Sequence, residues 1–146
     1  MIDIFERWDI LFKVSRRRIR NNNISMETQS KDEINQLNNI MDVKKVYISA
    51  LIGGLPEYVV QKAFSNAEKE LIEVGYKTIN PLKLAEELRA IFEHRYPTDA
   101  QYLGFDIYHL IDHSDAVYFC RGWHESKGCR LEFEAAKIYG KELMFE

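Results

Sequence analysis

The sequence predicts an α/β protein: a flavodoxin-like or Rossmann-like doubly wound parallel sheet, with a helical N-terminal extension. Two patterns carry this expectation. From residue 44 onward, short continuous apolar runs alternate with longer amphipathic ones. Strands that are apolar throughout belong to parallel sheets covered on both faces. The longer segments repeat their apolar residues at helical spacing, and two of them stop at Gly75 and Gly140. A glycine there suits the left-handed turn by which a chain leaves a helix.

The first 43 residues differ from the rest. Residues 2–14 place Ile4, Phe5, Trp8, Leu11 and Phe12 at helical spacing, and Arg16-Arg17-Arg18-Ile19-Arg20 follows as a basic run. That run reads as a solvated helix end or as a patch for nucleic acid or another acidic partner. Asn21-Asn22-Asn23 breaks the chain, and a weak polar helix over 29–42 runs through Ile34, Leu37 and Met41. The chain therefore divides into an extension and linker over 1–43 and a domain over 44–146.

Within the domain, Val46-Tyr47-Ile48-Ser49-Ala50 reads as the first buried strand. Gly53-Gly54-Leu55-Pro56 is a loop, with Pro56 suited to the first turn of a helix. The helix over 57–74 carries Val60, Ala63, Phe64, Ala67, Leu71 and Val74 on one face. Tyr76-Lys77-Thr78-Ile79 is a second strand, stopped by Asn80-Pro81. Helices over 82–94 and 100–113 flank a break at Tyr96-Pro97-Thr98-Asp99. Residues 116–120 form a third strand, 127–139 a helix, and Leu143-Met144-Phe145 the last strand.

Composition narrows the function. Hydrophobic residues at 46% and charged ones at 29% suffice for one core and exclude wholesale disorder. A net charge of −3 lacks the footprint of a general nucleic-acid binder. No apolar run approaches the roughly 20 residues of a membrane span, and Met1-Ile2-Asp3-Ile4 does not open a signal peptide. Cys120 and Cys129 make no disulfide framework. These features predict a cytoplasmic protein with reduced thiols that does not engage a membrane and is not a general nucleic-acid binder.

Ligands of doubly wound sheets bind beyond the carboxyl ends of the strands, where the strand order reverses. The loops after Ser49, Ile79 and Phe119 should line such a site. Asn80 stands on that rim. Trp123, just past the third strand, can stack on a base or pack in the core. Tyr47 on a buried strand is either a core aromatic or a functional hydroxyl. Glu132 lies in line with Gly128, Ala135, Ala136 and Tyr139, one turn into its helix. There it either faces the strand ends as a functional carboxylate or serves as a helix-dipole partner. Glu134 has Arg130, Lys137 and Lys141 within helical reach and reads as a solvated salt-bridging residue. His109 and His113 share a helical face, but two ligands make a poor zinc site. No metal or cofactor is expected. Cys129, near a helix start, should have some thiolate tendency.

The stretch Ser126-x-Gly128-x-x-x-Glu132-x-x-x-Ala136 resembles the motif of the nucleoside 2-deoxyribosyltransferase superfamily, which includes 2′-deoxynucleoside 5′-monophosphate N-glycosidases. The segments VYISALIGGLP, GYKTINP and GWHESKGCRLEFEAA are similar to a bacterial and phage branch of it, over about residues 44–146. The resemblance implies cleavage or transfer at the N-glycosidic bond of a deoxynucleoside or its monophosphate. It implies Glu132 as nucleophile, Tyr47 as the residue orienting it, and Asp106 as the group handling the proton of the leaving base. Ser49, Asn80, Trp123, Ser126 and Gly128 become the substrate-binding candidates. Ser126 stands where the nucleotide hydrolases carry a serine and the transferases an aspartate, which leans towards a monophosphate. The first loop, Leu51-Ile52-Gly53-Gly54, lacks the serine and arginine with which the hydrolases hold phosphate. Arg121, Lys127 or Arg130 are the available substitutes. The resemblance also implies a homo-oligomer with sites completed by a neighbour. The alternatives are a nucleotide sensor without turnover and a protein-interaction module on the same fold.

Overall fold

The structure, a computed structural model, describes residues 43–146. The expected helix over 2–14, the basic run, the Asn-rich linker and the weak helix over 29–42 lie outside the described residues. Residues 43–146 form one compact unit. Its elements are β1 (Lys45–Ser49), α1 (Glu57–Glu73), β2 (Lys77–Ile79), α2 (Pro81–Ile91), α3 (Asp99–His113), β3 (Ala116–Phe119), a 3₁₀ turn (Trp123–Glu125), α4 (Lys127–Ile138) and β4 (Glu142–Phe145).

The four strands are all parallel, in the order β2-β1-β3-β4. This is the doubly wound α/β arrangement the sequence predicts. The chain steps from β1 to β2 on one side, then crosses back over β1 to β3 and continues to β4. Right-handed crossovers in opposite directions put their helices on opposite faces of the sheet. So, among the described residues, α1 covers one face, and α2, α3 and α4 cover the other. On the α1 face, Val46, Ile48, Ala50, Ala116, Tyr118 and Cys120 pack against Val60, Phe64, Ala67 and Leu71. The intervening strand residues, Tyr47, Ser49, Val117 and Phe119, are buried on the other face. The order reverses between β1 and β3, and the pair Ser49 and Phe119 closes that seam at its carboxyl end.

Local chemistry fixes the helix ends. Asn80 caps α2, its Oδ1 accepting from the Leu82 N–H at 3.0 Å, with Pro81 in the first turn. Thr98 and Gln101 form a capping box at α3. Ser126 Oγ accepts from the Cys129 N–H at the start of α4. Past α1, Gly75 adopts φ +96°, and the Tyr76 and Gly75 N–H groups close back on the Leu71 and Ile72 carbonyls. Past α4, Gly140 adopts φ +65°, with Lys141 and Gly140 bonding Ala136 and Lys137 in the same way. Both are Schellman endings, in which a side chain at the glycine would be strained.

Three local expectations need correction. Pro56 is the cap of α1 rather than a residue of its first turn. The helix expected over 82–94 ends at Ile91, because Phe92 is already extended. The buried stripe of α4 is Cys129, Glu132 and Ala136, whereas Tyr139 is 59% exposed. Tyr139 is the C-terminal cap of α4, its N–H still bonding the Ala135 carbonyl at 3.0 Å, with its side chain left in solvent at the helix end.

Candidate active site

The switch point places Tyr47 and Ser49 two residues apart on β1, so both side chains leave the sheet on the α4 face. Glu132 descends from α4 onto them. Tyr47 OH donates to Glu132 Oε1 at 2.7 Å, and Ser49 Oγ donates to Oε2 at 2.5 Å. All three residues are buried, with Glu132 only 6% exposed. A buried carboxylate must be hydrogen-bonded to stay charged. Here each oxygen accepts one hydroxyl and keeps a lone pair.

The electrostatics follow from this burial. Desolvation pushes the Glu132 carboxyl up to about 6, and the Ser49 and Tyr47 hydroxyls hold it from rising further. Asp106, on α3, is pushed up to about 8, first by burial and then by the negative charge of Glu132. Among the described residues no group hydrogen-bonds its carboxyl. Two carboxyl groups thus sit within electrostatic reach with their proton affinities separated. Near neutral pH, Glu132 is mainly ionised and Asp106 mainly protonated. Separated carboxyls of this kind divide naturally into an acid and a nucleophile or base. Burial, with the charges of Glu132 and Asp106 added, pushes the Tyr47 phenol well above its ordinary range, so it stays a donor.

The other sequence candidates fall into two groups. Ser126 and Gly128 open the helix that carries Glu132. Ser126 is its cap, and a Cβ at Gly128 would meet Ser126 Oγ at an ordinary 3.7 Å. The fold itself therefore does not require glycine at 128. Asn80 is buried at the end of β2, with its side chain engaged in capping α2.

Trp123 is engaged elsewhere. Its ring stacks on Phe133 at 4.7 Å and lies 5.0 Å from Phe119, in a cluster completed by Phe145. That geometry is the packing alternative for Trp123. Cys129 departs from its expected thiolate tendency: burial raises its pKa, more than the Ser126 and Ser49 hydroxyls lower it. Glu134 is exposed and pairs with Lys137 at 3.3 Å. Lys141 instead donates to the Ser114 carbonyl at 2.6 Å, because Gly140 turns it away from α4.

Sequence reasoning placed Ser49 on the rim but missed its bond to Glu132. The signal was present, since residues 47 and 49 of a strand share a face. His109 lies edge-on to Phe105 at 4.5 Å, and burial lowers its pKa to about 4. Among the described residues no group of three His, Cys, Asp or Glu side chains could hold a metal ion.

A cavity of about 520 Å³ lies on the opposite face, against α1. Tyr58, Lys62, Glu70, Tyr118 and Arg121 are among its lining residues; Glu132 is not. The carboxyl cluster and this cavity are therefore separate features on the two sides of the sheet.

The fold and the cluster define a doubly wound α/β protein with a buried, hydroxyl-clamped carboxylate at its switch point. The chain belongs to the family described as Domain of unknown function (DUF4406), which matches residues 44–145. A search of curated proteins and a search of solved structures gave no match. Among the described residues no helix is long and apolar enough to cross a membrane.

Proposed function

We propose that the protein cleaves or transfers the N-glycosidic bond of a deoxynucleoside or deoxynucleoside monophosphate, with Glu132 as nucleophile. One observation carries the reading. A buried carboxylate, clamped by Tyr47 at 2.7 Å, lies within electrostatic reach of a second carboxyl that holds its proton near neutrality. The resemblance of Tyr47, Ser126 and Glu132 to the deoxyribosyltransferase motif supplies the substrate class.

In this mechanism a free lone pair of Glu132 forms a bond to C1′ of the sugar. The bond from C1′ to the base nitrogen breaks, and its electron pair leaves with the base. Asp106 gives its proton to the base as it departs. The transition state carries positive charge on the sugar, which an adjacent carboxylate stabilises. Water, deprotonated by the Asp106 carboxylate, then attacks C1′ and frees Glu132. Another base in place of water gives transfer. The α4 start favours a phosphorylated substrate, because the N–H groups there other than that of Cys129, which Ser126 caps, are free to attract phosphate.

The test is release of free base from a panel of deoxynucleosides and their monophosphates. Wild-type protein releases base from at least one, and Glu132→Ala slows release about a thousandfold or more, several kcal/mol of barrier. No release by wild type, or equal release by the variant, contradicts the reading. On the same reading a second copy completes the site, so the mass in solution exceeds the 17.2 kDa of one chain. A holding role without turnover is favoured by the low exposure of Glu132, at 6%. A nucleotide that raises Tm and stays intact over hours selects that alternative.

A further inference from the structure

The hydroxyl of Ser49 has no role in the mechanism above, yet it makes a buried polar contact with the proposed nucleophile. Ser49 is 1% exposed, and its Oγ donates to Glu132 Oε2 at 2.5 Å. Tyr47 holds the other oxygen. A carboxylate bonded at one oxygen can still swing about its last torsion, which is broad and weakly restrained. One bonded at both oxygens, from two residues of the same strand, cannot.

The geometry points to Ser49 as a positioning residue: with Tyr47 it forms a two-point clamp from β1 that fixes the Glu132 carboxylate and keeps it charged. The assignment rests on the reading of Glu132 as the nucleophile for its functional meaning, and on the clamp's geometry alone for its physical content. Ser49 and Ser126 also lower the pKa of the Cys129 thiol, against the larger rise that burial causes.

Among the described residues, the titratable groups facing Glu132 are Tyr47 from β1, Asp106 from α3 and Cys129 from its own helix. The Tyr47 phenol and the Cys129 thiol keep their protons through neutral pH, since both are raised. Between pH 5 and 9 the clamp is therefore read, among the described residues, against the titration of Asp106. Working in an Asp106→Asn background removes that neighbour's charge.

The experiment is a pH titration of protein carrying glutamate labelled with ¹³C at the side-chain carboxyl, with the Glu132 signal assigned by its loss in Glu132→Gln. In the Asp106→Asn background, Ser49→Ala moves the Glu132 midpoint up by about one pH unit or more, as losing a bond to a charged group requires. Ser49→Thr, which keeps the hydroxyl, returns it towards the starting value. An unchanged midpoint in folded Ser49→Ala overturns the assignment. Should Ser49→Ala not fold, Ser49→Cys fills nearly the same space with a weaker donor; a smaller upward shift supports the clamp, and no shift overturns it.

Base release, measured alongside, separates the two claims. If wild type releases base and the clamp is real, the acid limb of kcat/KM shifts with the Glu132 midpoint. If wild type releases no base while the midpoint still shifts, the proposed function falls and the clamp stands. If wild type is active and the midpoint stays, the clamp alone falls.

Discussion

Replacing Tyr47 with phenylalanine removes one oxygen and almost nothing else. Tyr47 is fully buried, and its hydroxyl bonds a carboxylate that is 6% exposed, so water does not readily take the lost place. A hydrogen bond to a charged group contributes about 1.5–3 kcal/mol. The change falls on the ionised form of Glu132, so its pKa should rise by about 1–2 units. Starting from about 6, that brings it close to the value of about 8 held by Asp106.

The two carboxyls then titrate together, as apparent values of the pair. At pH 7 the ionised fraction of Glu132 falls from about nine-tenths to between about one-half and one-tenth, as each pKa unit is a tenfold change in proton affinity. Loss of orientation adds to this, and kcat/KM at pH 7 should fall about 10- to 100-fold. Raising the pH cannot restore it, because Asp106 then loses the proton the leaving base requires. The profile of Tyr47→Phe should therefore be narrower and lower, with its acid limb moved up. The stability loss should also be larger at pH 8, where Glu132 is charged, than at pH 5. An acid limb that stays in place, with a stability loss equal at both pH values, refutes the reasoning.

Asp106 makes a second prediction. Its folded pKa lies above the unfolded value, so its contribution is full at low pH and is lost as pH rises through about 8. His109 is lowered to about 4, so its contribution is lost as pH falls below 6.5, and Glu132 completes its change by about pH 6. Among these three groups only Asp106 still titrates between pH 6.5 and 8. Denaturant unfolding should show stability falling by about 2 kcal/mol across that window. Asp106→Asn should remove most of that slope, and an unchanged slope contradicts the burial of this carboxyl. Trp123→Ala should lower stability by about 2–3 kcal/mol, through loss of its stacking on Phe133 and Phe119, while leaving KM for base release unchanged. A raised KM at unchanged Tm returns Trp123 to the substrate.

The sequence made the architecture legible because its signals are local. Apolar runs at 46–50 and 116–120 overlap β1 and β3 to within a residue, and glycines at 75 and 140 stand where the chain must turn left-handed. What it left hidden depends on pairs far apart in the chain. The bond between Ser49 and Glu132 spans 83 positions. The aromatic cluster that holds Trp123 joins residues from β3, the 3₁₀ turn, α4 and β4. The 3₁₀ turn itself has too few residues to display a period. The thiol of Cys129 departs from the sequence expectation for a related reason. Its place near a helix start is visible in sequence, whereas its burial against the strand ends is a property of the packed molecule.

The central claim is that Glu132 forms a bond to the sugar. A deoxynucleoside monophosphate bearing fluorine at C2′ tests it most directly, because the fluorine destabilises the positively charged transition states and lets a covalent intermediate accumulate. After incubation, intact-mass measurement and peptide mapping should find the fluorinated sugar phosphate on the peptide containing Glu132. The Glu132→Gln protein should carry none. Release of base from the unfluorinated substrate, with the adduct on another residue or with full activity in Glu132→Gln, would contradict the account.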